Sequence, residues 1–365
     1  MNREVLVLAA WTRTAERLQF DSQLGCLIGR CGLELLPGES RLECMARELA
    51  QWAAALDRPG LEADRKAVFF SASKGGMEAF EAPQVDLGAY LHRYLSSGSG
   101  GLIRDALGWS GGGSNTPLAC ATGAYSMGLA YEAIAEGRLD LALAGAAEAS
   151  LTPLMAAAFR NLGALSPARS PSGFRGPFDE CRGGFALGEG AGALLLASAE
   201  GAAALGLEPL ARLLGWACNS DAYHLTAPLP GGVQAAKCLR LTLAKAGLEP
   251  DEVAYVNAHG TGTPQGDEAE AQALEAVFGP GSHPRVSGVK GATGHTLGAA
   301  GAIEAVATVR ALERRRVPAH SGCVEPMASM VAKLALGEED LPLGAALSLS
   351  MGFGGHNVAL AFGRM

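Results

Sequence analysis

Short apolar runs alternate with segments of helical periodicity along the whole chain, and this alternation is the strongest constraint on its fold. Such runs are typical of strands that are buried on both faces. Strands that alternate with helices favour layered α/β packing with largely buried sheets. The predicted strands are residues 5–10, 67–72, 139–145, 213–217, 253–257, 345–350 and 358–362, with a further strand entered from the glycine-rich stretch 184–196.

Helices are predicted where apolar residues recur at helical spacing. The first begins at a capping box, because Ser40 is followed three residues later by Glu43. The Ser and Gly clusters of residues 96–114 indicate irregular connections. The predicted helices are residues 41–56, 233–246, 267–278 and 298–312, with another that follows Cys120 through Ile134. We expect two units, 1–203 and 204–365.

Composition narrows the classes of function. Hydrophobic residues are 48% and charged residues 18% of the chain, which supplies a large core, and the net charge of −8 disfavours nucleic acid and anionic membrane surfaces as partners. No run approaches the roughly 18 apolar residues of a membrane span. The eight Cys include no Cys-x-x-Cys pair, so we expect no metal site and reduced thiols in the cytoplasm.

The stretch around Cys120 contains a candidate nucleophile. Small residues flank this Cys on both sides, a short extended run precedes it and a helical pattern follows. A thiol at a strand-to-helix turn faces unpaired N–H groups and the positive end of the helix dipole, which favours the reactive thiolate. The alternative interpretation is a small buried hydrophobe.

Two histidines lie far downstream at positions typical of active sites. His259 follows the predicted strand 253–257, and His295 precedes the helix 298–312. Strand ends and helix starts are where active-site groups collect in α/β folds. Either His alone is compatible with a structural or surface role. Together with Cys120 they favour Cys/His/His nucleophilic catalysis. The remaining histidines are predicted to be structural or surface residues: His92, His224, His283, His320 and His356.

Six blocks of sequence carry a resemblance to a known family. They come in the family's order and are spread over residues 118–362, roughly two thirds of the chain, which argues against a chance match of a single motif. Their residues are 119–123 (Ala-Cys-Ala-Thr-Gly), 177–192, 221–228, 255–263 (Tyr-Val-Asn-Ala-His-Gly-Thr-Gly-Thr), 290–301 (beginning Lys-Gly-Ala-Thr-Gly-His) and 352–357 (Gly-Phe-Gly-Gly-His-Asn). The sequence resembles the β-ketoacyl-acyl carrier protein synthases, the Cys-His-His condensing enzymes of fatty acid and polyketide assembly.

The resemblance implies a thiolase-like fold, with two similar α/β halves in alternating α-β-α-β-α layers, and a dimer of like or unlike chains. It implies that Cys120 takes an acyl chain from an acyl carrier protein as a thioester. His259 and His295 would assist decarboxylation of a malonyl thioester and stabilise the enolate. The backbone N–H groups of Cys120 and Phe353 match the family's oxyanion hole.

Further roles follow from matching positions. Lys290 matches a lysine that orders the site, and Phe353 matches a gating aromatic. Thr261 and Thr263 match hydroxyls that bind the pantetheine arm, although turn capping is an equally good interpretation. Glu304 matches an acid behind the site or is a buried structural partner. No cofactor is implied, because phosphopantetheine arrives on the carrier protein.

Some positions depart from the family pattern. The segment up to Glu39 does not match, and in relatives that region helps form the dimer and carrier-protein surface. Gly163 stands where an Arg is frequent, so Arg160 or residues 314–316 are alternative docking cations. Met351 replaces an aromatic, and His356 replaces a frequent Thr.

Three functions therefore compete. The first is an active condensing enzyme, favoured by the complete Cys120, His259 and His295 set. The second is a chain-length-factor-like partner subunit without elongating activity, favoured by the altered N-terminus and gate loop. The third, a thiolase or a Cys-His-Asn enzyme acting on coenzyme A, fits the block around His295 less well.

Overall fold

The computed structural model describes residues 3–81, 95–114, 116–342 and 344–365; His92 lies outside them. The strands are β1 Leu6–Thr14, β2 Gln19–Asp21, β3 Cys26–Gly29, β4 Lys66–Ser71, β5 Leu141–Glu148, β6 Leu187–Gly188, β7 Gly190–Ala197, β8 Ala211–Ser220, β9 Val253–Asn257, β10 Arg285–Ser287, β11 Arg316–Val317, β12 Glu339–Asp340, β13 Ala345–Gly352 and β14 His356–Arg364. The helices are α1 Arg41–Leu56, α2 Met77–Phe80, α3 Gly98–Leu107, α4 Thr122–Ala135, α5 Pro153–Asn161, α6 Ala199–Leu205, α7 Val233–Ala246, α8 Pro264–Phe278, α9 Lys290–Thr293 and α10 Ala300–Arg314.

The main sheet is built from the same arrangement twice. Its strand order among the described residues is β10-β9-β13-β14-β8-β1-β7-β5-β4. In the first set β4 is parallel to β5, and β5, β7 and β1 pair antiparallel in turn. In the second set β9 is parallel to β13, and β13, β14 and β8 pair antiparallel in turn. The sets join where Leu6 and Val7 of β1 pair with Arg212 and Ala211 of β8.

Helices lie in three layers around these two sets of strands. One core cluster joins α4 and α10 to both sets, so these two helices form the central layer. A second cluster packs α1 and α3 on the first set, and a third packs α7 and α8 on the second set. The layered α-β-α-β-α fold expected from the sequence is therefore confirmed. The division at residue 203 stays a prediction.

Small residues let the two central helices approach closely at their N-terminal ends. A Cβ added to Gly123 would lie 2.6 Å from Cβ of Ala302, and one added to Gly301 would lie 3.0 Å from Cβ of Ala124. Such distances leave no room for side chains between the two backbones. Since Cys120 shortly precedes α4 and His295 shortly precedes α10, this contact brings two distant stretches of sequence to one place.

Most predicted elements match the structure, and one prediction is wrong. The capping box of Ser40 and Glu43 is present at the start of α1. Residues 96–114, predicted to be irregular, contain the helix α3. Its buried Ile103 lies in the same core cluster as the apolar face of α1, and tertiary packing of this kind overrides the low helix propensity of Gly and Ser. Among the described residues no helix is long and apolar enough to cross a membrane.

Candidate active site

Cys120 lies on a tight turn that ends at the start of α4. The short extended run before it forms only a single bridge, between Leu118 and Cys120. Ala119 has a φ of 46°, a left-handed conformation that is uncommon for a residue with a Cβ. The hydroxyl of Thr122 donates to the Ala119 carbonyl at 2.7 Å and accepts from the Leu118 N–H at 2.7 Å, which holds the turn. Strained turns of this kind are found at functional sites.

The two histidines converge on this sulfur. Nε2 of His295 lies 3.2 Å from Sγ of Cys120. The ring centroids of His259 and His295 are 5.5 Å apart at an interplanar angle of 85°. All three residues are buried. The structure therefore brings together the three groups that the sequence predicted as a catalytic set.

Lys290 and Glu304 lie directly behind His259. Nζ of Lys290 is 3.2 Å from Nδ1 of His259, and it also donates to the His259 carbonyl and to the Glu304 carboxylate. The side chains of this ion pair are almost fully buried, with exposures of 2% and 0%. A buried charge needs such a partner, so both interpretations of Glu304 from the sequence, an acid behind the site and a buried structural partner, describe the same contact.

Two acidic residues on α8 hold the loop that contains His259, and sequence reasoning did not identify them. The Glu270 carboxylate accepts from the N–H groups of His259 at 2.6 Å and Gly260 at 2.7 Å. Asp267 accepts from the N–H groups of Thr261 and Gly262, each at 3.0 Å. Burial raises the pKa of Glu270 to about 8 and that of Asp267 to about 6. Asp267 and Glu270 are three residues apart on a helix, a spacing that is also typical of a solvent-exposed helix face. The sequence therefore contained no signal for this role.

Glu148, at the end of β5, was also missed. Its carboxylate accepts from the N–H of Ser73 at 3.0 Å, from the N–H of Gly298 at 3.1 Å and from the hydroxyl of Ser150 at 3.2 Å. The Ser73 hydroxyl donates to it as well. Burial raises the pKa of this carboxyl group. Glu148 thus ties the loop after β4 to the segment that follows His295.

The protonation of the site differs from the prediction that the helix start favours a thiolate. Burial raises the pKa of Cys120 to about 11, although Lys74, Lys290 and the Phe353 N–H act in the opposite direction. Desolvation of the charged form outweighs the nearby positive charges. Burial and then Lys290 lower the pKa values of His259 and His295 well below the usual range. The resting site near neutral pH therefore holds a thiol and two neutral imidazoles.

The cleft above Cys120 opens to solvent and has a cavity volume of about 80 Å³. Thr261 and Thr263 line it, and their hydroxyl oxygens are 2.9 Å apart. The remaining lining residues include Phe159, Phe185, Leu297, Met351, Phe353 and His356. His356 was predicted to be structural or surface, but it lies in this wall. By contrast, His320 is structural, since its Nδ1 accepts from the Gly288 N–H at 2.9 Å.

The two alternative docking cations lie in different places. Arg160 on α5 donates to the carbonyl of Leu24, so its guanidinium is engaged within the chain. Residues 314–316 lie at the end of α10 opposite His295, about 20 Å from the cleft for a helix of this length. There Arg316 pairs with Asp340 at 2.6 Å.

No group of three or more His, Cys, Asp or Glu in the described part of the chain is arranged to hold a metal ion.

Comparisons with known proteins point to one family. The model described as beta-ketoacyl synthase, N-terminal domain, matches residues 44–202, and that described as beta-ketoacyl synthase, C-terminal domain, matches residues 210–323. The chain is 37% identical over 320 residues to 3-oxoacyl-(acyl-carrier-protein) synthase 2 of Staphylococcus aureus (strain N315), covering 85% of this chain and 77% of the relative. The same name belongs to a Synechocystis relative, 37% identical over 314 residues, covering 83% and 76%.

Solved structures agree with these matches. One match is a chain from the structure of a type II PKS acyl-carrier protein in complex with its ketosynthase bound to the hexaketide. It superposes on this protein with a TM-score of 0.92 at 27% identity. A beta-ketoacyl synthase from Burkholderia phymatum STM815 gives 0.90 at 28% identity. The ishigamide ketosynthase/chain length factor gives 0.83 at 27% identity. Each alignment covers 100% of both chains.

Proposed function

This chain belongs to the β-ketoacyl synthase family and has β-ketoacyl synthase function, and from that premise we propose that it is an acyltransferase whose acyl chain is carried on Cys120. The single observation that supports this proposal best is the 3.2 Å distance between Sγ of Cys120 and Nε2 of His295, with His259 facing the same space. A nucleophile within hydrogen-bond reach of a base is the arrangement that covalent catalysis requires.

In the first step the Cys120 thiol attacks the thioester carbonyl of an acyl carrier protein. The thiol proton passes to Nε2 of His295, the C–S bond of the donor breaks, and the proton leaves with the pantetheine thiol. Because the pKa of Cys120 is raised to about 11, a base beside the sulfur is needed at neutral pH. His295 is suited to this role because burial keeps its imidazole neutral.

In the second step a malonyl thioester loses carbon dioxide and leaves an enolate. Lysine has no acceptor, so Nδ1 of His259 accepts from Lys290 and Nε2 of His259 carries the hydrogen. An N–H held in this way stabilises the enolate oxygen as its charge develops. Nδ1 of His295 is buried without a hydrogen-bond partner among the described groups. Once Cys120 is acylated, its sulfur no longer donates to Nε2 of His295, so Nε2 can carry the hydrogen and donate in the same step.

In the third step the enolate carbon attacks the acyl group on Cys120. The new C–C bond replaces the C–S bond, and the sulfur leaves as a thiolate. This thiolate takes up one proton from solvent, passed on by Nε2 of His295, and the resting thiol is restored. The oxyanion formed at the acyl carbonyl would accept from the N–H groups of Cys120 and Phe353, and the Phe353 N–H already acts to lower the pKa of the Cys120 thiol. The product is a β-ketoacyl thioester that is two carbons longer.

Partners and location are part of the proposal. The solved complex of an acyl-carrier protein with its ketosynthase supports an acyl carrier protein as donor, and the ketosynthase/chain length factor structure supports a dimer of like or unlike chains. Thr261 and Thr263 would bind the pantetheine arm from the cleft wall. We propose no resident cofactor and a cytoplasmic location.

The test is the intact mass of the protein after incubation with acyl-loaded carrier protein. We expect an acyl adduct on Cys120, no adduct in Cys120→Ala, and an unchanged adduct in Cys238→Ala, which removes another buried thiol in a different core cluster. Elongation with malonyl carrier protein should be lost only in Cys120→Ala. An isolated wild-type protein that forms no adduct, but supports elongation once a related subunit is added, would favour the chain-length-factor-like role instead.

A further inference from the structure

The hairpin formed by β2 and β3 packs into the buried apolar cluster that contains Cys120. This hairpin precedes residue 44, where the family-model match begins. Leu24 in its turn and Cys26 and Ile28 of β3 belong to the same buried apolar cluster as Cys120. That cluster also contains Phe159, Phe185 and Leu297, which line the cleft.

The side chains of β3 alternate between two environments. Cys26 and Ile28 point into the cluster that contains Cys120, with exposures of 3% and 0%. Leu27 points the opposite way, into a separate cluster with Leu18, Phe174 and Ala186. This alternation is the normal period of a strand. Cys26 and Ile28 therefore pack in the same apolar cluster as Phe159, Phe185 and Cys120.

Several contacts fix the hairpin in place. The Asp21 carboxylate accepts from the N–H groups of Gln23 at 2.9 Å and Leu24 at 3.0 Å, and Arg160 donates to the Leu24 carbonyl. A Cβ added to Gly29 would lie 1.9 Å from the carbonyl oxygen of Thr293, so β3 is pressed against the segment that leads to His295. Because the hairpin is held both at its turn and at the end of β3, it does not move easily to make room for a longer ligand.

We propose that Leu24, Cys26 and Ile28 form the end wall of the acyl site and restrict the enzyme to short acyl chains. This inference rests on the proposed acylation of Cys120. A chain attached to the sulfur passes Phe159, Phe185 and Leu297 and then meets the hairpin. Ile28, which is fully buried in this wall, is the residue that limits chain length.

The test compares acylation rates of Cys120 with butyryl, octanoyl and dodecanoyl carrier proteins, measured by intact mass. Wild-type protein should accept butyryl fastest and dodecanoyl slowest. Ile28→Ala should raise the dodecanoyl-to-butyryl rate ratio by about tenfold, the gain expected from burying about two more methylene groups. Ile28→Val should shift the ratio in the same direction but by less. This milder variant replaces Ile28→Ala in the test if the Ala variant does not fold.

Leu27→Ala is the matched control, because it removes a buried aliphatic side chain from the same strand on the opposite face. Its chain-length ratio should equal that of the wild type. The inference is overturned if wild-type protein accepts dodecanoyl as fast as butyryl, or if Leu27→Ala shifts the ratio as much as Ile28→Ala. Absence of acylation with every chain length would instead count against the proposed function.

Discussion

Nζ of Lys290 lies 3.2 Å from Nδ1 of His259, and both groups are buried. This contact has two effects. It fixes the tautomer of His259, because Nδ1 accepts from the ammonium group and therefore carries no hydrogen, which leaves the ring hydrogen on Nε2. It also adds to burial in lowering the pKa of His259, since a nearby positive charge opposes protonation of the ring.

Lys290→Met should lower the rate of malonyl decarboxylation by about 100-fold, the usual effect of losing one preorganised donor. Without the lysine the pKa of His259 rises, so the acid limb of the decarboxylation profile should move to higher pH. Acylation of Cys120, which does not use His259, should change much less. Release of carbon dioxide as a function of pH, measured beside the rate of acyl-enzyme formation, checks both expectations.

Lys333→Met is the control for loss of a buried lysine, because Lys333 is 1% exposed and donates to the carbonyls of Gly281 and His283 away from the site. The double variant Lys290→Met with Glu304→Gln removes the unpaired carboxylate if the single variant unfolds. An unchanged acid limb in both Lys290 variants would contradict the role given to this lysine.

The rate at which iodoacetamide alkylates Cys120 should rise about tenfold per pH unit from pH 7 to pH 10, because only the thiolate reacts and burial raises the pKa of this thiol to about 11. A thiol with the ordinary pKa of 9.0 would begin to level off within that range. Mass spectrometry of the Cys120 peptide gives the rate at each pH. A rate that is independent of pH between 6 and 8 would instead reveal a resting thiolate paired with an imidazolium.

Glu148→Ala should lower the free energy of unfolding by about 3 kcal/mol, because it leaves the buried donors of Ser73 and Gly298 without a partner. Glu148→Gln should lower the free energy of unfolding by less, since its side-chain amide keeps one acceptor oxygen. Activity should fall with stability, because Gly298 lies three residues after His295. Denaturant unfolding measures the change.

Glu136→Ala is the control for the loss of a glutamate. Glu136 is 55% exposed and pairs with Arg138 on the surface, and exposed pairs of this kind contribute little. Equal stability of Glu148→Ala and Glu136→Ala would contradict the structural role of Glu148.

Sequence and structure agree most closely where a local pattern has a local cause. The helix at Arg41–Leu56 was predicted to the residue, because its apolar spacing and its capping box are both written in neighbouring residues. The prediction of irregular structure for residues 96–114 was wrong for the opposite reason. Gly and Ser have low helix propensity, and only packing of Ile103 in the core cluster it shares with α1 makes α3 a helix.

The sequence alone identified the alternating α/β architecture, the family resemblance and the Cys120, His259 and His295 set, because short motifs and periodicity depend only on nearby residues. Tertiary structure alone decided that Glu270, Asp267 and Glu148 hold the site, that the hairpin at Leu24 to Ile28 stands behind it, and that Cys120 rests as a thiol. Those properties depend on burial and on contacts between residues as far apart as Cys120 and His295, which are separated by 175 positions. Desolvation acts only once the chain has closed around these groups.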